Sequence, residues 1–296
     1  MKWKSIERAV SKYLNQIKYG RSENTIKTVR KNLARILNHF DDHPSSITFN
    51  SYYEALERLK ERYKSSTVNK THLNASRLLK WMNHKEANQI GNIRVQIYWD
   101  KIETYTIDQI NSILSWCFNQ KETLWRLRLA AFLLIISSSG MRGGECQKLK
   151  WSDLDFNENL FHIKKTKTGD SRFAAIHPKI IPFLIDYREK ISKSIDYNSQ
   201  YIFPSFINPS NFISYNALTT KMNNEVSSEL GFHVNCKKFR STMVKLIVES
   251  GGGYEKAASI VGHKNIGVTQ KHYHRITMNK SALEAYDLAL KDFKFS

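Results

Sequence analysis

Cysteine is scarce in this chain: three in 296 residues, Cys117, Cys146 and Cys236, far apart. No two have the spacing of a metal-binding pair, and an odd number argues against a disulfide framework, so a reducing compartment is expected. Long apolar runs are missing too. The longest, Leu127 to Ile136, is interrupted by Arg128 and is too short to cross a bilayer, so it reads as a buried helix. The start, Met1-Lys2-Trp3-Lys4, lacks the apolar core of a signal peptide. These absences argue against a secreted disulfide scaffold and a membrane protein, and predict a cytoplasmic one. Acidic residues are also in deficit. The chain has 27 Asp and Glu against 46 Lys and Arg, a formal charge of +19. Solubility does not require that excess, whereas a polyanionic partner does. The first hundred residues hold 19 basic and 9 acidic side chains, the remainder 27 and 18, so both parts are expected to touch the same polyanion. A basic chain with merely solvated lysine faces is the bland alternative.

The length suits two domains. Residues 5–40 read as two amphipathic helices. Ile6, Val10, Tyr13, Leu14 and Ile17 recur at helical spacing. After a break at Tyr19-Gly20-Arg21-Ser22, so do Ile26, Val29, Leu33, Ile36, Leu37 and Phe40. Ser22, Asn24 and Thr25 supply capping chemistry. Two more helices fit 48–63 and 66–83. Residues 90–104 read as an extended linker. Thr106 is expected to cap a helix to Phe118, followed by a long helix near 122–137 that stops at Gly140 and a short one at 143–149. The clear β signal is a hairpin: Leu160 to Ile163, a turn at Thr166-Lys167-Thr168-Gly169-Asp170, and a return strand from Arg172 to Ile176. Helices are predicted at about 179–192, 214–230, 238–249, 254–262, 266–275 and 279–292. The chain has no internal repeat and no low-complexity segment. The fold class is therefore mostly α with a small antiparallel sheet (α+β).

Breaking a phosphodiester without metal requires a nucleophile, cations on the nonbridging oxygens, a proton source for the leaving oxygen, and a site that aligns them. Five segments offer such groups. Ser139-Gly140-Met141-Arg142-Gly143-Gly144-Glu145 places an arginine at a helix start, where its fork and nearby backbone N–H groups favour an anion. Glu145 either orients that fork or caps the helix. Lys167 sits at the hairpin tip, with Lys164 and Lys165 as competing neighbours. Lys237-Lys238-Phe239-Arg240 puts Lys237 and Arg240 on one helix face. Gly262-His263 leaves a histidine at a helix end as a donor. Tyr273 follows ten residues later. Each has a plainer reading: a surface arginine, a solvated turn lysine, a basic backbone-binding face, a capping histidine, a core aromatic.

Their order and spacing carry more than any one of them. Arg142-x-x-Glu145, the hairpin Lys167, Lys237-x-x-Arg240, Gly262-His263 and Tyr273 closely resemble the tyrosine recombinase (phage integrase) family. The resemblance covers residues 104–296, and the stretch from Gly262 to Tyr273 is its most specific part. The first hundred residues match the family's core-binding domain in size and pattern alone. The resemblance implies a helical DNA-clamping domain at 1–95, a linker at 96–104 and a catalytic domain at 105–296. It implies that Arg142 and Arg240 clamp the phosphate, Lys167 protonates the leaving 5′ oxygen, His263 donates a hydrogen bond to the phosphate, and Tyr273 forms a 3′-phosphotyrosine. Glu145 supports the first arginine.

Two departures stand out. The position three before the second arginine, usually His in the family, is Lys237, which keeps a charged donor but not imidazole proton transfer. The spacing from His263 to Tyr273 is one residue longer than in many members. A metal site from His263, His272 and His274 is disfavoured, because histidines two apart on a helix diverge and no acidic ligand is near. No cofactor, metal or nucleotide is expected. The partners implied are double-stranded DNA and three further copies of the chain in a tetramer on two sites, with a need for accessory DNA-binding proteins left open by the sequence. No arm-type DNA-binding domain is expected before residue 5. The segment from Ala282 to Phe293 reads as a helix docking on its own domain or on a neighbour. A type IB topoisomerase-like enzyme and a non-catalytic DNA-binding protein are the rival readings, and a basic RNA-binding protein is a remoter one without the base-stacking signature of common RNA modules.

Overall fold

The computed structural model describes residues 4–98, 102–120, 123–164, 171–194 and 199–262. Lys165, Lys167, His263, Tyr273 and the helices expected at 266–275 and 279–292 lie outside them. Contacts divide the chain into two units, Met1–Lys101 and Ile102–Ser296.

The first unit is helical: α1 (Ile6–Ile17), α2 (Glu23–Leu37), α3 (Phe49–Arg62), α4 (Ser65–Trp81) and a short α5 (Ala87–Gly91). Side-chain oxygens satisfy the first free N–H groups, as expected from sequence at Ser22 alone. Ser5 caps α1 and Ser22 caps α2, while Thr48 and Ser51 form a capping box on α3. The apolar stripes meet in one core with Leu14, Leu33, Ile36, Tyr52, Leu56 and Leu78 at its centre. Full burial of such side chains stabilises by roughly 1.5–3 kcal/mol each. The helix α5 was not expected, and it shortens the extended stretch. Beyond it Ile93 and Val95 pack on this core, and the Tyr98 amide donates to Ser65 Oγ at 2.9 Å.

The second unit is built around α7 (Leu124–Ser139). Every residue from Leu127 to Ile136 is buried, Arg128 included, so the apolar run is a core helix. The Arg128 guanidinium lies over the Phe206 ring, 3.5 Å from its centroid, with Trp125 at 4.9 Å. Its charge meets ring faces there, a favourable arrangement for a desolvated cation. Before α7 comes α6 (Ile107–Phe118), capped by Thr106 and Gln109. After it come α8 (Gly143–Cys146) and a three-stranded antiparallel sheet: β1 (Leu154–Asp155), β2 (Leu160–Ile163) and β3 (Arg172–Ala175). The register pairs Phe161 with Leu154 on one side and Ala174 on the other, and Ile163 with Arg172. The strand β1 was not foreseen, since two residues carry no periodicity.

Four further segments complete the described part. They are α9 (Ile181–Ser194), α10 (Tyr215–Lys221) leading through a π turn to α11 (Ser228–Leu230), α12 (Cys236–Ile247), and α13 (Gly253–Val261). A second π turn joins α12 to α13, with Gly251 left-handed. Val244, Ala257 and Val261 pack these last two helices together, with Ile102 against them. The fold is mostly α with a small antiparallel sheet, as the pattern predicted.

Candidate active site

The α7 C-terminus sets the first arginine. Gly140 takes a left-handed conformation (φ 61°) and its amide closes on the Ile136 carbonyl. A Cβ there would lie 3.1 Å from Met243 and 3.3 Å from Val261, so α12 and α13 press on this turn. Ser139 Oγ accepts from the Met141 amide, and Met141 is fully buried. The chain then extends through Arg142 into α8. That helix is a single turn, shorter than the 143–149 expected. Its dipole is therefore small, and the main positive charge at this helix start is the guanidinium itself.

Glu145 does both things the sequence left open. Its Oε2 accepts from the Arg142 amide at 3.4 Å, and its Oε1 accepts from Arg142 Nη1 at 2.9 Å. A second guanidinium, that of Arg172, donates from Nη2 to Oε2 at 2.8 Å. The carboxylate is only 6% exposed. Burial raises its pKa, but hydrogen bonds and charge from Arg172 and then Arg142 outweigh that and hold the carboxyl below the usual glutamate value. Arg142 Nη2 also donates to the Gly262 carbonyl at 3.4 Å. Its side chain keeps 30% exposure.

Arg240 lies on α12, whose first turn is capped by Asn235 Oδ1 accepting from the Lys238 amide. Tyr105 fastens that end. Its hydroxyl accepts from the Asn235 amide at 2.8 Å, and its own amide donates to Thr242 Oγ1 at 2.8 Å. Arg240 Nη1 donates to the Gly140 carbonyl at 3.2 Å. Arg142, Glu145 and Arg240 are thus brought together around the turns at Gly140 and Gly262. Lys237 is exposed, one turn before Arg240 on the same helix. Among the described residues no hydrogen bond ties Lys237 to the other three. Lys164 is engaged elsewhere, 3.2 Å from Asp153. Gly262 is left-handed (φ 71°) and ends α13, immediately before His263.

Arg172 was read from sequence only as a strand residue. Its partner, Glu145, is 27 residues away, beyond the reach of any local pattern. The weak signal available was an arginine opening the strand just after the lysine-bearing turn. Cys146 and Cys236 lie behind the site and Cys117 in the same core; burial raises all three thiols, Cys236 to about 11. They are inert packing rather than nucleophiles. Among the described residues no group of three His, Cys, Asp or Glu could hold a metal, and no helix is long and apolar enough to cross a membrane.

In the first unit, α2 and α3 flank a groove lined by Lys31, Arg35, His39, Arg58, Arg62 and Tyr63. Arg35 lies over the Tyr63 ring at 5.0 Å. Among the described residues no acidic side chain lines the groove.

Residues 103–280 match the family model described as the phage integrase family, more than half of the sequence, and the chain belongs to this family of tyrosine recombinases. Tyrosine recombinase XerD of Rickettsia bellii is 28% identical over 226 residues, covering 70% of this chain and 72% of the relative. XerD of Rickettsia prowazekii is 28% identical over 234 residues, covering 72% and 73%. Two solved structures share the fold. A XerH site-specific recombinase bound to palindromic difH substrate has a TM-score of 0.72 at 13% identity, covering 94% of this chain and 83% of that one. A lambda integrase dimer bound to a COC' core site has a TM-score of 0.68 at 15% identity, covering 90% and 77%.

Proposed function

We propose that this protein is a site-specific DNA recombinase that cleaves and rejoins strands through a 3′-phosphotyrosine at Tyr273. The observation that carries the reading is that Arg142 and Arg240 each donate to the carbonyl of a glycine that ends a helix, Gly262 and Gly140 respectively. Two guanidiniums so placed suit the nonbridging oxygens of a single phosphodiester, whose charge grows in the transition state. Family membership and the DNA-bound relatives of the same fold support it.

In this reading the Tyr273 oxygen attacks phosphorus as its hydroxyl proton passes to solvent water. The bond from phosphorus to the 5′ oxygen breaks, and that oxygen takes a proton from Lys167. The phosphate stays joined to the 3′ side and to Tyr273. His263 and Lys237 donate to the phosphate beside the two arginines, and Glu145 keeps Arg142 aligned. The phosphotyrosine retains the bond energy, so rejoining needs neither nucleotide nor metal. Attack by the 5′ hydroxyl of a second duplex reverses the step and exchanges strands through a Holliday junction, on four protomers holding two sites. The basic groove of the first unit would follow the DNA backbone.

The test uses end-labelled, sheared DNA from the native host or element, incubated with protein in EDTA and denatured in detergent. DNA covalently attached to wild type and absent with Tyr273→Phe is the expected result, and sequencing the trapped DNA gives the site. Attachment with both proteins would remove Tyr273 as the nucleophile. Salt-sensitive binding without attachment by wild type would count against cleavage.

A further inference from the structure

We infer that Arg172 is a positioning residue that holds the phosphate-clamping Arg142 in place, an inference that rests on the recombinase reading above. Arg142 has two side-chain anchors, Glu145 Oε1 through Nη1 and the Gly262 carbonyl through Nη2. Arg172 touches the supports of both. Its Nη2 donates to the other oxygen of Glu145 at 2.8 Å. Its Nη1 donates to the Ile260 carbonyl at 3.2 Å, in the last turn of α13 just before Gly262. Its stem lies so close to Gly262 that a Cβ on that glycine would be 2.5 Å from Arg172 Cδ and Nε. One guanidinium thus spans the two attachments of another.

Physical chemistry gives this arrangement weight. A carboxylate with 6% exposure must be paired on both oxygens, or the one left over costs its desolvation. Arg142, at 30% exposure, supplies one guanidinium partner. Arg172, at 13% exposure, supplies the other from the interior side. A Lys at 172 has a single ammonium and no fork, so it can keep the Glu145 contact or the Ile260 contact but not both geometries. Arg172 also opens β3, pairing with Ile163, so it fixes the start of the strand that follows the segment holding Lys167. Gly262 directly precedes His263. The same side chain therefore ties together the chain segments that lead to three of the proposed site residues. Each Nη donates to a protein acceptor and the Nε is buried, so the guanidinium is set against the protein, as a support is.

The experiment compares full-length wild type, Arg172→Lys and Arg172→Gln. Three quantities are read: the rate of covalent attachment to the end-labelled DNA described above, the melting temperature, and the guanidinium ¹⁵N–¹H resonances of Arg142, assigned with Arg142→Lys. A fork held at both ends rotates slowly and gives separate resonances. The expected result is slow rotation in wild type, averaged resonances in Arg172→Gln, and a fall of about 10²-fold in attachment rate, the scale set by a misplaced catalytic group. DNA affinity should stay within a few-fold, and Arg172→Lys should be intermediate. Attachment and melting falling together, with the Arg142 resonances unchanged, would overturn the inference and leave Arg172 an ordinary structural ion pair. If wild type forms no attachment, the recombinase reading fails by itself. The Arg142 resonances still decide: averaged in the variants supports positioning, unchanged refutes it.

Discussion

Arg240 donates from Nη1 to the carbonyl of Gly140 at 3.2 Å, so the second arginine of the site rests on the turn that presents the first. Gly140 lies two residues before Arg142. The second guanidinium is thus held at the left-handed turn two residues before Arg142, while the first is held by Glu145 and the Gly262 carbonyl. In the proposed mechanism a rigid spacing matters, because both arginines would meet one phosphate.

That relationship predicts what lysine cannot replace. Arg240→Lys and Arg142→Lys each keep the charge and lose the planar fork. Each is expected to lower the rate of covalent DNA attachment by about 10²–10³-fold, the typical loss for removing one oxyanion donor. Salt-dependent DNA binding should change little. Attachment rate and a binding isotherm on the same DNA would check it.

The groove of α2 and α3 gives a prediction about affinity rather than chemistry. Lys31, Arg58 and Arg62 are exposed there. Replacing each with Ala should weaken DNA binding uniformly across sequences and reduce the slope of log affinity against log salt by about 1 per residue that meets a phosphate. Titrations at several salt concentrations measure it. An unchanged slope would place the DNA on another face of this unit.

Gly143 and Gly144 are neighbours with opposite expectations. A Cβ on Gly143 would come within 2.6 Å of the Tyr215 ring and 2.9 Å of Cys236 Sγ, whereas a Cβ on Gly144 meets nothing within 4 Å. Gly143→Ala should destabilise by roughly 1–3 kcal/mol through overpacking. Gly144→Ala should be neutral or stabilise by up to about 1 kcal/mol by restricting the unfolded chain. Thermal or urea unfolding of the pair is the measurement.

Glu145 makes stability depend on acid in a defined direction. Its carboxyl is held below the ordinary value in the folded chain. Its contribution is then fully present above the unfolded value of about 4.3 and is lost as pH falls through the lowered folded value. The stability difference between wild type and Glu145→Gln should shrink as pH drops below 4 and stay constant from pH 6 to 8. Unfolding curves across that range test the sign.

Much was legible beforehand because it is local. Helical spacing of Ile6, Tyr13 and Leu14, or of Val29, Leu33 and Ile36, specifies a helix and its buried face, and both helices appear where the spacing put them. Ser22 and Thr106 announced helix starts, and Gly140 and Gly262 announced helix ends, because capping and left-handed φ are properties of single residues. The approach of Arg142 and Arg240 was legible only through family spacing. The short α5 and β1 were not, since neither is long enough to show a period.

By itself the sequence determined most of the longer described helices, the hairpin strands, the strong positive charge and membership of a family. Its spacing and backbone preferences act over a few residues, and charge is a sum that needs no geometry. Only the tertiary structure decided that a buried Glu145 would share its oxygens between Arg142 and Arg172, and that Arg240 would settle on the Gly140 carbonyl. Those contacts join residues far apart in the chain. They form because the α7, α8, α12 and α13 packing removes a carboxylate from water, and a desolvated carboxylate must find cations wherever the fold has placed them.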